Sequence, residues 1–328
     1  MTFRLFEAVA ALAWAVAALV PGAAAATTAT AACATTAMRV TTDVRILHAI
    51  DEARRQHQLF GRQTIERNGG MFGVGYHEAE WDRPTGESTG TWERVAVFWR
   101  ALSESAPPVV VTSAGRVGLA EASPAPPTAG GAPTRVDVAV REALLRAAIV
   151  DTPWSAAFIS YLMKTAGFSR TEFAFSDSHV DYVRAALDTS AAEAAGQEAP
   201  HAFRACDTAT TRPRAGDLLC STRAGTATTL RFDALPAAMA RAAGQEFPMH
   251  CDLVVRADVG GDAKLEVIGG NVVQSVTLSR MTLNANKVLG GTYLAGAPPQ
   301  RGECPGRGQA CRGHLNRRPW LVLLQFRH

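Results

Sequence analysis

The chain has few lysines and no closely spaced cysteine pair. Lysine occurs only at positions 164, 264 and 287. The chain has 33 Lys and Arg residues and 30 Asp and Glu residues, which gives a net charge of +3. No basic helix and no strip of basic and aromatic residues is present, so we expect no nucleic-acid partner. The C-x-x-C spacing common in zinc sites is absent. We therefore expect no metal and no other cofactor.

Long apolar runs are missing except near the N-terminus. Residues 8–20 are apolar, follow a charged start and precede an Ala-rich segment. This run is shorter than the roughly 20 residues that span a bilayer, and its surroundings are typical of a secretory signal peptide. We expect cleavage near Ala26, export to the periplasm or beyond, and no transmembrane segment afterwards. Lipid attachment at Cys33 is the alternative by which the exported chain would be anchored.

The six cysteines of an exported chain are disulfide candidates. Cys220 and Cys251 each lie in or beside a predicted strand, so a bridge between them would link neighbouring strands. Two more, Cys304 and Cys311, lie in a Gly- and Arg-rich loop near the C-terminus, and a bridge between them would close that loop. The candidates are Cys33, Cys206, Cys220, Cys251, Cys304 and Cys311, and the sequence leaves their pairing open.

Composition divides the chain into four parts. We predict a signal peptide at 1–26, a helical lead-in at 27–103, a Pro/Ala/Gly-rich loop or linker at 104–135, and an α+β domain at 136–328. In the lead-in, Val44, Leu47, Ile50 and Ala53 recur at helical spacing. Further helices are predicted from Thr91, across 136–149 and across 178–187.

The segment DTPWSAAFISYLMKTAGF predicts a buried helix. Asp151 or Thr152 can cap it, Pro153 fits its first position, and Gly167 can end it. Ser155 then lies in the first turn, where backbone N–H groups have no helical partner and the helix dipole is positive.

The second half of the chain predicts strands. RAGDLLCSTR, HCDLVVR, AKLEVIGGN, VVQSVTLSR and WLVLLQF are rich in β-forming residues and are separated by Gly and Asp. Helices followed by hairpin-linked strands predict an α+β fold in which N-terminal helices pack on an antiparallel sheet.

One predicted hairpin brings polar side chains together. If the strands 250–256 and 263–271 pair around a turn near Gly260, Leu253 lies opposite Val267. The same register puts His250 beside the end of the second strand, where Asn271 follows two glycines that permit a bulge or a close approach.

Ser155, His250 and Asn271 then form a candidate catalytic series. The hydroxyl would attack, the imidazole would take its proton, and the carboxamide would orient the ring. A helix N-terminus cannot ionise a hydroxyl as it does a thiol, so Ser155 must lose its proton to a base during attack.

PWSAAFISYLMKTAGF, PRAGDLLC, HCDLVV and VIGGNVVQSV, in this order, resemble the CHAP and NlpC-type amidase/peptidase superfamily. The resemblance implies a papain-like core in which Ser155 occupies the position of the nucleophilic Cys, His250 that of the catalytic His and Asn271 that of the orienting residue. With SDSHVDY added, the motifs are similar to an uncharacterised bacterial family of exported proteins with a domain of unknown function. This resemblance covers about residues 90–290.

Three further residues are secondary candidates. His179 in SDSHVDY is a second base or a substrate contact, or else a histidine that starts a helix. Asp252 shares a strand face with His250 and could hold its ring in place of Asn271. Trp154 is a core residue that could line the wall of a cleft. Asp217 is expected only to order the entry of a strand.

The sequence thus predicts an exported cell-envelope hydrolase that cleaves amide bonds, with peptidoglycan or a cell-wall peptide as its expected partner. Two alternatives remain open. An inactive papain-like module would bind a cell-wall fragment or a protein partner, and a structural envelope protein stabilised by disulfides would have no cleft function.

Overall fold

A computed structural model describes residues 31–102, 109–112, 115–118, 135–223, 230–242, 247–294, 297 and 313–328. The predicted signal peptide at 1–26 and the cysteines at 304 and 311 lie outside these residues. Within them, no helix combines the length and apolar character that crossing a membrane requires.

The predicted helices are present. Their bounds are Val44–Leu59 (α1), Thr91–Arg100 (α2), Arg135–Asp151 (α3), Ser155–Thr165 (α4) and His179–Ala194 (α5). A further helix at Leu235–Arg241 (α6) was not predicted. Asp43 caps α1 by accepting from the N–H of Arg45 at 2.8 Å. The buried face of α1 includes Ile50 and Ala53 as expected, but Val44 and Leu47 are exposed while Ile46 and Ala49 are buried.

The helix that carries Ser155 begins later than predicted. The N–H of Thr152 bonds to the carbonyl of Ala148 at 3.1 Å, so Thr152 closes α3 and does not cap α4. Trp154 becomes the N-cap residue, and it supplies no side-chain cap. Ser155 is still in the first turn, and Gly167 follows the end of α4 with a φ of 87°.

Eight strands form one open sheet. They are Thr64–Ile65 (β1), Met71–Phe72 (β2), Phe203–Asp207 (β5), Leu218–Thr222 (β6), Met249–Ala257 (β7), Lys264–Val272 (β8), Ser275–Thr282 (β9) and Trp320–Phe326 (β10). Their order is β2-β1-β9-β8-β7-β6-β10-β5, and every neighbouring pair except β1 and β9 is antiparallel. The expected α+β architecture with a mostly antiparallel sheet is therefore confirmed.

Two more strands, Val109–Thr112 (β3) and Gly115–Gly118 (β4), pair separately inside the predicted linker.

The sheet separates two hydrophobic clusters. Leu253 and Ile268 face the larger cluster, where they join the fully buried Phe158 and Leu162 of α4. Val254 faces the smaller cluster on the other side, as strand alternation requires. Burying a large apolar side chain stabilises the fold by about 1.5–3 kcal/mol, so α4 is held firmly against β7 and β8.

The β7–β8 register is shifted by one residue from the predicted one. Leu253 pairs with Ile268, not with Val267. The physical reason lies in the turn: Ala257 pairs with Leu265, so the turn is centred one position after Gly260 and the register there is off by two residues. An irregularity between Val254 and Arg256 adds one residue to β7 and reduces the shift to one. The observed register brings Asn271 to the level of His250.

Two disulfides are present among the described residues. Cys220 and Cys251 face each other on β6 and β7, with their Cα atoms 4.0 Å apart. The predicted link between neighbouring strands is therefore confirmed. Cys33 pairs with Cys206 of β5 across 173 positions, which leaves its sulfur unavailable for a lipid.

Candidate functional site

Ser155 starts α4 and lines a cleft. The residue is 3% exposed. The first helical hydrogen bond runs from the N–H of Phe158 to the carbonyl of Trp154 at 3.0 Å. The N–H groups of residues 155–157 precede that bond, so they form an electropositive end suited to a developing oxyanion.

The hydroxyl of Ser155 contacts two basic side chains. Nε2 of His179, the first residue of α5, lies 2.9 Å from Oγ. Nη2 of Arg223 donates to the same Oγ at 3.2 Å. A guanidinium can only donate, so the hydroxyl accepts from Arg223 and can direct its own proton to His179.

Burial makes His179 a neutral base. It holds the pKa of His179 well below the ordinary 6.5, and the nearby His250 and Arg223 lower it further. A neutral ring that accepts at Nε2 carries its proton on Nδ1. The buried Nδ1 of His179 has no hydrogen-bond partner among the described residues.

His250 and Asp252 form a second buried pair. They lie two positions apart on β7, and Nε2 of His250 lies 2.7 Å from Oδ1 of Asp252. Nη1 of Arg318 donates to the other carboxylate oxygen at 3.1 Å. Burial acts to raise the pKa of Asp252, but His250 and Arg318 outweigh it and leave that pKa below its ordinary value.

The carboxylate decides which nitrogen of His250 is free. Burial, together with Arg318 and Arg223, lowers the pKa of His250 more than Asp252 raises it. The ring is therefore neutral, and its Nε2–H donates to Asp252. Nδ1 is left as an acceptor, and this buried atom has no partner in the part of the chain that the structure describes. The His179 and His250 rings touch edge to face, with centroids 5.2 Å apart.

Asn271 supports the start of α4 and does not hold a histidine. With its amide oriented to satisfy both neighbours, it accepts from the backbone N–H of Trp154 at 3.2 Å and donates to Oε2 of Glu78 at 3.1 Å. Glu78 also accepts from the indole N–H of Trp154 at 2.7 Å. Burial raises the pKa of Glu78, against the effect of that indole. These contacts fix the residue that precedes Ser155.

The two glycines before Asn271 allow close approach, as expected from the sequence. A Cβ on Gly269 would overlap Oδ1 of Asp252. A Cβ on Gly270 would lie 2.5 Å from Cβ of Phe158 and 2.8 Å from the Trp154 ring. Glycine is therefore required at both positions to let β8 pass between the Asp252 carboxylate and α4.

Two clefts meet at Arg223. The first has a volume of about 570 Å³, and Ser155, His179, Asp177, Trp99 and Phe247 are among its lining residues. The second has a volume of about 470 Å³. It is lined by Ile65, Ser221, Thr222, Arg223, His250, Asn271, Val272, Val273, Leu315, Arg317, Arg318 and Pro319. No three His, Cys, Asp or Glu side chains of the described ranges are grouped as ligands for one metal ion.

The structure thus groups the predicted site residues differently from the expected series. Ser155 meets His179, a secondary candidate, and His250 is held by Asp252, the other polar secondary candidate. Trp154 is fully buried, and its indole bonds to Glu78.

Sequence reasoning missed Arg223, Arg318 and Glu78. Their signals were slight: Arg223 directly follows β6, Arg318 precedes β10, and Glu78 lies in a segment with no regular pattern.

Fold and site together define an α+β protein with a buried serine–histidine pair at a cleft. The chain matches the model of a family described as an uncharacterized protein conserved in bacteria (DUF2272) over residues 86–326. Because this match covers more than half of the chain, the protein belongs to the DUF2272 family. No curated protein and no solved structure matches the chain.

Proposed function

We propose that this protein is an exported cell-envelope hydrolase that cleaves amide bonds by acyl transfer, with Ser155 as nucleophile and His179 as base. The observation that carries the proposal is the 2.9 Å contact between Oγ of Ser155 and Nε2 of a neutral, buried His179 at a helix N-terminus. His179 replaces His250 as the base, because Nε2 of His250 bonds to Asp252.

The proposed reaction has two steps. Oγ of Ser155 bonds to the substrate carbonyl carbon as its proton passes to Nε2 of His179. The first-turn N–H groups and Arg223 stabilise the oxyanion. The C–N bond then breaks, and His179 returns the proton to the leaving amine. Water hydrolyses the resulting ester with His179 again as base, which releases the acid and restores the hydroxyl.

The envelope location and the substrate class rest on separate grounds. Two disulfides are compatible with an oxidising compartment, and the N-terminal sequence supports export. The motif order resembles CHAP and NlpC-type amidases and peptidases. The placement of Ser155 at the start of a helix that packs on an antiparallel sheet is consistent with a papain-like core. These grounds support a peptide of the cell wall as substrate.

Covalent labelling tests the nucleophile without a known substrate. A fluorophosphonate reacts with a serine hydroxyl only when a base activates it, and the serine displaces fluoride. We expect mass spectrometry to find one adduct, on Ser155. Ser155→Ala should abolish it, while Ser169→Ala, which changes an exposed serine, should leave it intact. An adduct elsewhere, or none under conditions that label an active serine hydrolase, contradicts the proposal.

A digestion assay addresses the substrate. Purified peptidoglycan incubated with the protein should release soluble fragments, and Ser155→Ala should stop that release. Ser155→Cys should react rapidly with iodoacetamide at neutral pH, because a helix N-terminus and a nearby base favour a thiolate.

One observation favours a second function, an inactive binding module. Nδ1 of His179 has no carboxylate or carbonyl partner among the described residues, so the group that normally orients a catalytic histidine is missing. The module would bind peptidoglycan without cutting it. Sedimentation of the protein with peptidoglycan, with no fragment release and no fluorophosphonate adduct, would establish this alternative.

A further inference from the structure

The second cleft combines apolar walls with three arginines. Ile65, Val272, Val273, Leu315 and Pro319 supply apolar lining. The guanidinium-bearing residues are Arg223, Arg317 and Arg318, and the described lining includes no aspartate or glutamate. Grouped guanidinium groups recognise carboxylates, often through two parallel hydrogen bonds. The lining therefore suits a ligand with one anionic group and a small apolar part.

One residue that lines this cleft carries a buried acceptor. His250 is 5% exposed and lines this space, and its Nδ1 has no partner among the described residues. Because Nε2–H of His250 donates to Asp252, Nδ1 offers a lone pair. A buried acceptor without a partner is costly, and a ligand N–H would satisfy it.

Arg223 connects this cleft to the candidate nucleophile. It lines both clefts, and its Nη2 donates to Oγ of Ser155 at 3.2 Å. A group held in the second cleft is therefore next to whatever lies over Ser155.

The backbone at the rim of the second cleft is strained. Val273 and Gln274 have φ values of 50° and 60°, in a region that disfavours residues other than glycine and asparagine. A β-branched residue is an outlier there, yet Val273 lines the cleft and is 43% exposed. The two residues form the turn between β8 and β9, where Val272 pairs with Ser275, and this turn places Val273 at the cleft.

We propose that the second cleft binds the C-terminal residue of a peptide. The arginines take its carboxylate, Nδ1 of His250 accepts its amide N–H, and Val273 and Leu315 contact its side chain. Resting on the proposed function, this arrangement puts the last peptide bond over Ser155, so the enzyme releases single C-terminal residues.

The experiment uses Ser155→Ala, which binds without cutting. Acetyl-alanyl-alanine, in its L,L and D,D forms, is titrated against ¹⁵N-labelled protein, in parallel with its C-terminal amide. We expect the free acid of one form to shift amide signals of residues 271–274 and 315–318, and the amide to bind at least tenfold more weakly. Arg317→Gln should weaken binding of the acid about tenfold, because it removes one charged contact with the carboxylate. Arg231→Gln removes the same charge at an exposed position in another pocket, and it should change nothing.

Three results overturn the proposal. The first is equal binding of the acid and the amide. The second is the absence of any shift from either acid up to about 50 mM, a concentration at which a Kd near 10 mM would be visible. The third is tighter binding of inorganic phosphate than of the acid, which would indicate a general anion site. The labelling of Ser155 is independent. Labelling without acid binding rejects only the second cleft, and acid binding without labelling rejects only the hydrolase.

Discussion

The hydroxyl of Ser155 lies 2.9 Å from Nε2 of His179, and these residues open two successive helices, α4 and α5. Both residues are buried, and both line the same cleft. The pair is assembled by two helix starts and not by the helix-and-hairpin combination that the sequence suggested. His250 is adjacent through its ring contact with His179, but it belongs to a separate pair with Asp252.

The two histidines should differ in their effect on the nucleophile. His179→Gln removes the base and should slow fluorophosphonate labelling of Ser155 by about 100-fold or more. His250→Gln should slow it less than about tenfold, because Nε2 of His250 bonds to Asp252 and the residue lines the second cleft. His48→Gln, at an exposed position, is the control for loss of a histidine. Equal losses from His179→Gln and His250→Gln would show that both rings take part in activation.

Asp252 should matter for stability as well as for the site. Asp252→Asn keeps the shape but leaves the guanidinium of Arg318, 18% exposed, without its carboxylate. Breaking such a buried pair should lower the free energy of unfolding by about 3–5 kcal/mol.

The matched control is Asp233→Asn, whose partner Arg231 is 82% exposed. That change should cost less than about 1 kcal/mol in urea unfolding. Similar costs for the two substitutions would mean that the Asp252–Arg318 pair contributes no net stability.

Stability should decline as the pH falls below 6.5. Burial holds the pKa of His57, His179, His201 and His250 below that ordinary value in the folded protein. Above pH 6.5 these histidines are neutral in both states. Below pH 6.5 these histidines bind protons in the unfolded chain but not in the folded protein. Each of them therefore reduces the free energy of unfolding by about 1 kcal/mol per pH unit.

Urea unfolding at a series of pH values between 7.5 and 5 measures this slope. His179→Gln removes one such group and should make the decline shallower. An unchanged slope in that variant would show that folding does not lower the pKa of His179.

The β8–β9 turn should tolerate a stabilising change. Val273→Asn combined with Gln274→Gly supplies the residues that accept positive φ, and it should raise the free energy of unfolding by about 1–2 kcal/mol. Val273→Ile keeps the β-branched side chain at a φ of 50° and should give no gain. Thermal unfolding of the three proteins compares them. A loss of stability in the double variant would mean that the Val273 side chain contributes more by packing than the turn loses by strain.

Local pattern was sufficient to predict many elements of this fold. Alternation and helical spacing predicted the helices α1 to α5 and the strands β6 to β10, which left Cys220 and Cys251 as candidates for a link between neighbouring strands, but they did not predict α6 or β1 to β5. These features depend on neighbours along the chain, where the periods of 3.6 and 2 apply. The register of β7 and β8 was wrong by one residue at Leu253, because alternation encodes neither the centre of the turn nor the irregularity before Arg256.

The sequence by itself determined the chemistry available: a first-turn serine, two histidines, a carboxylate two positions after one of them, and glycines before Asn271. Only the tertiary structure decided the partners. His179 meets Ser155 because α5 begins beside the start of α4, and Asn271 bonds to Trp154 because Gly269 and Gly270 let β8 lie against that helix. Contacts between distant segments depend on packing geometry, which spacing along the chain does not specify.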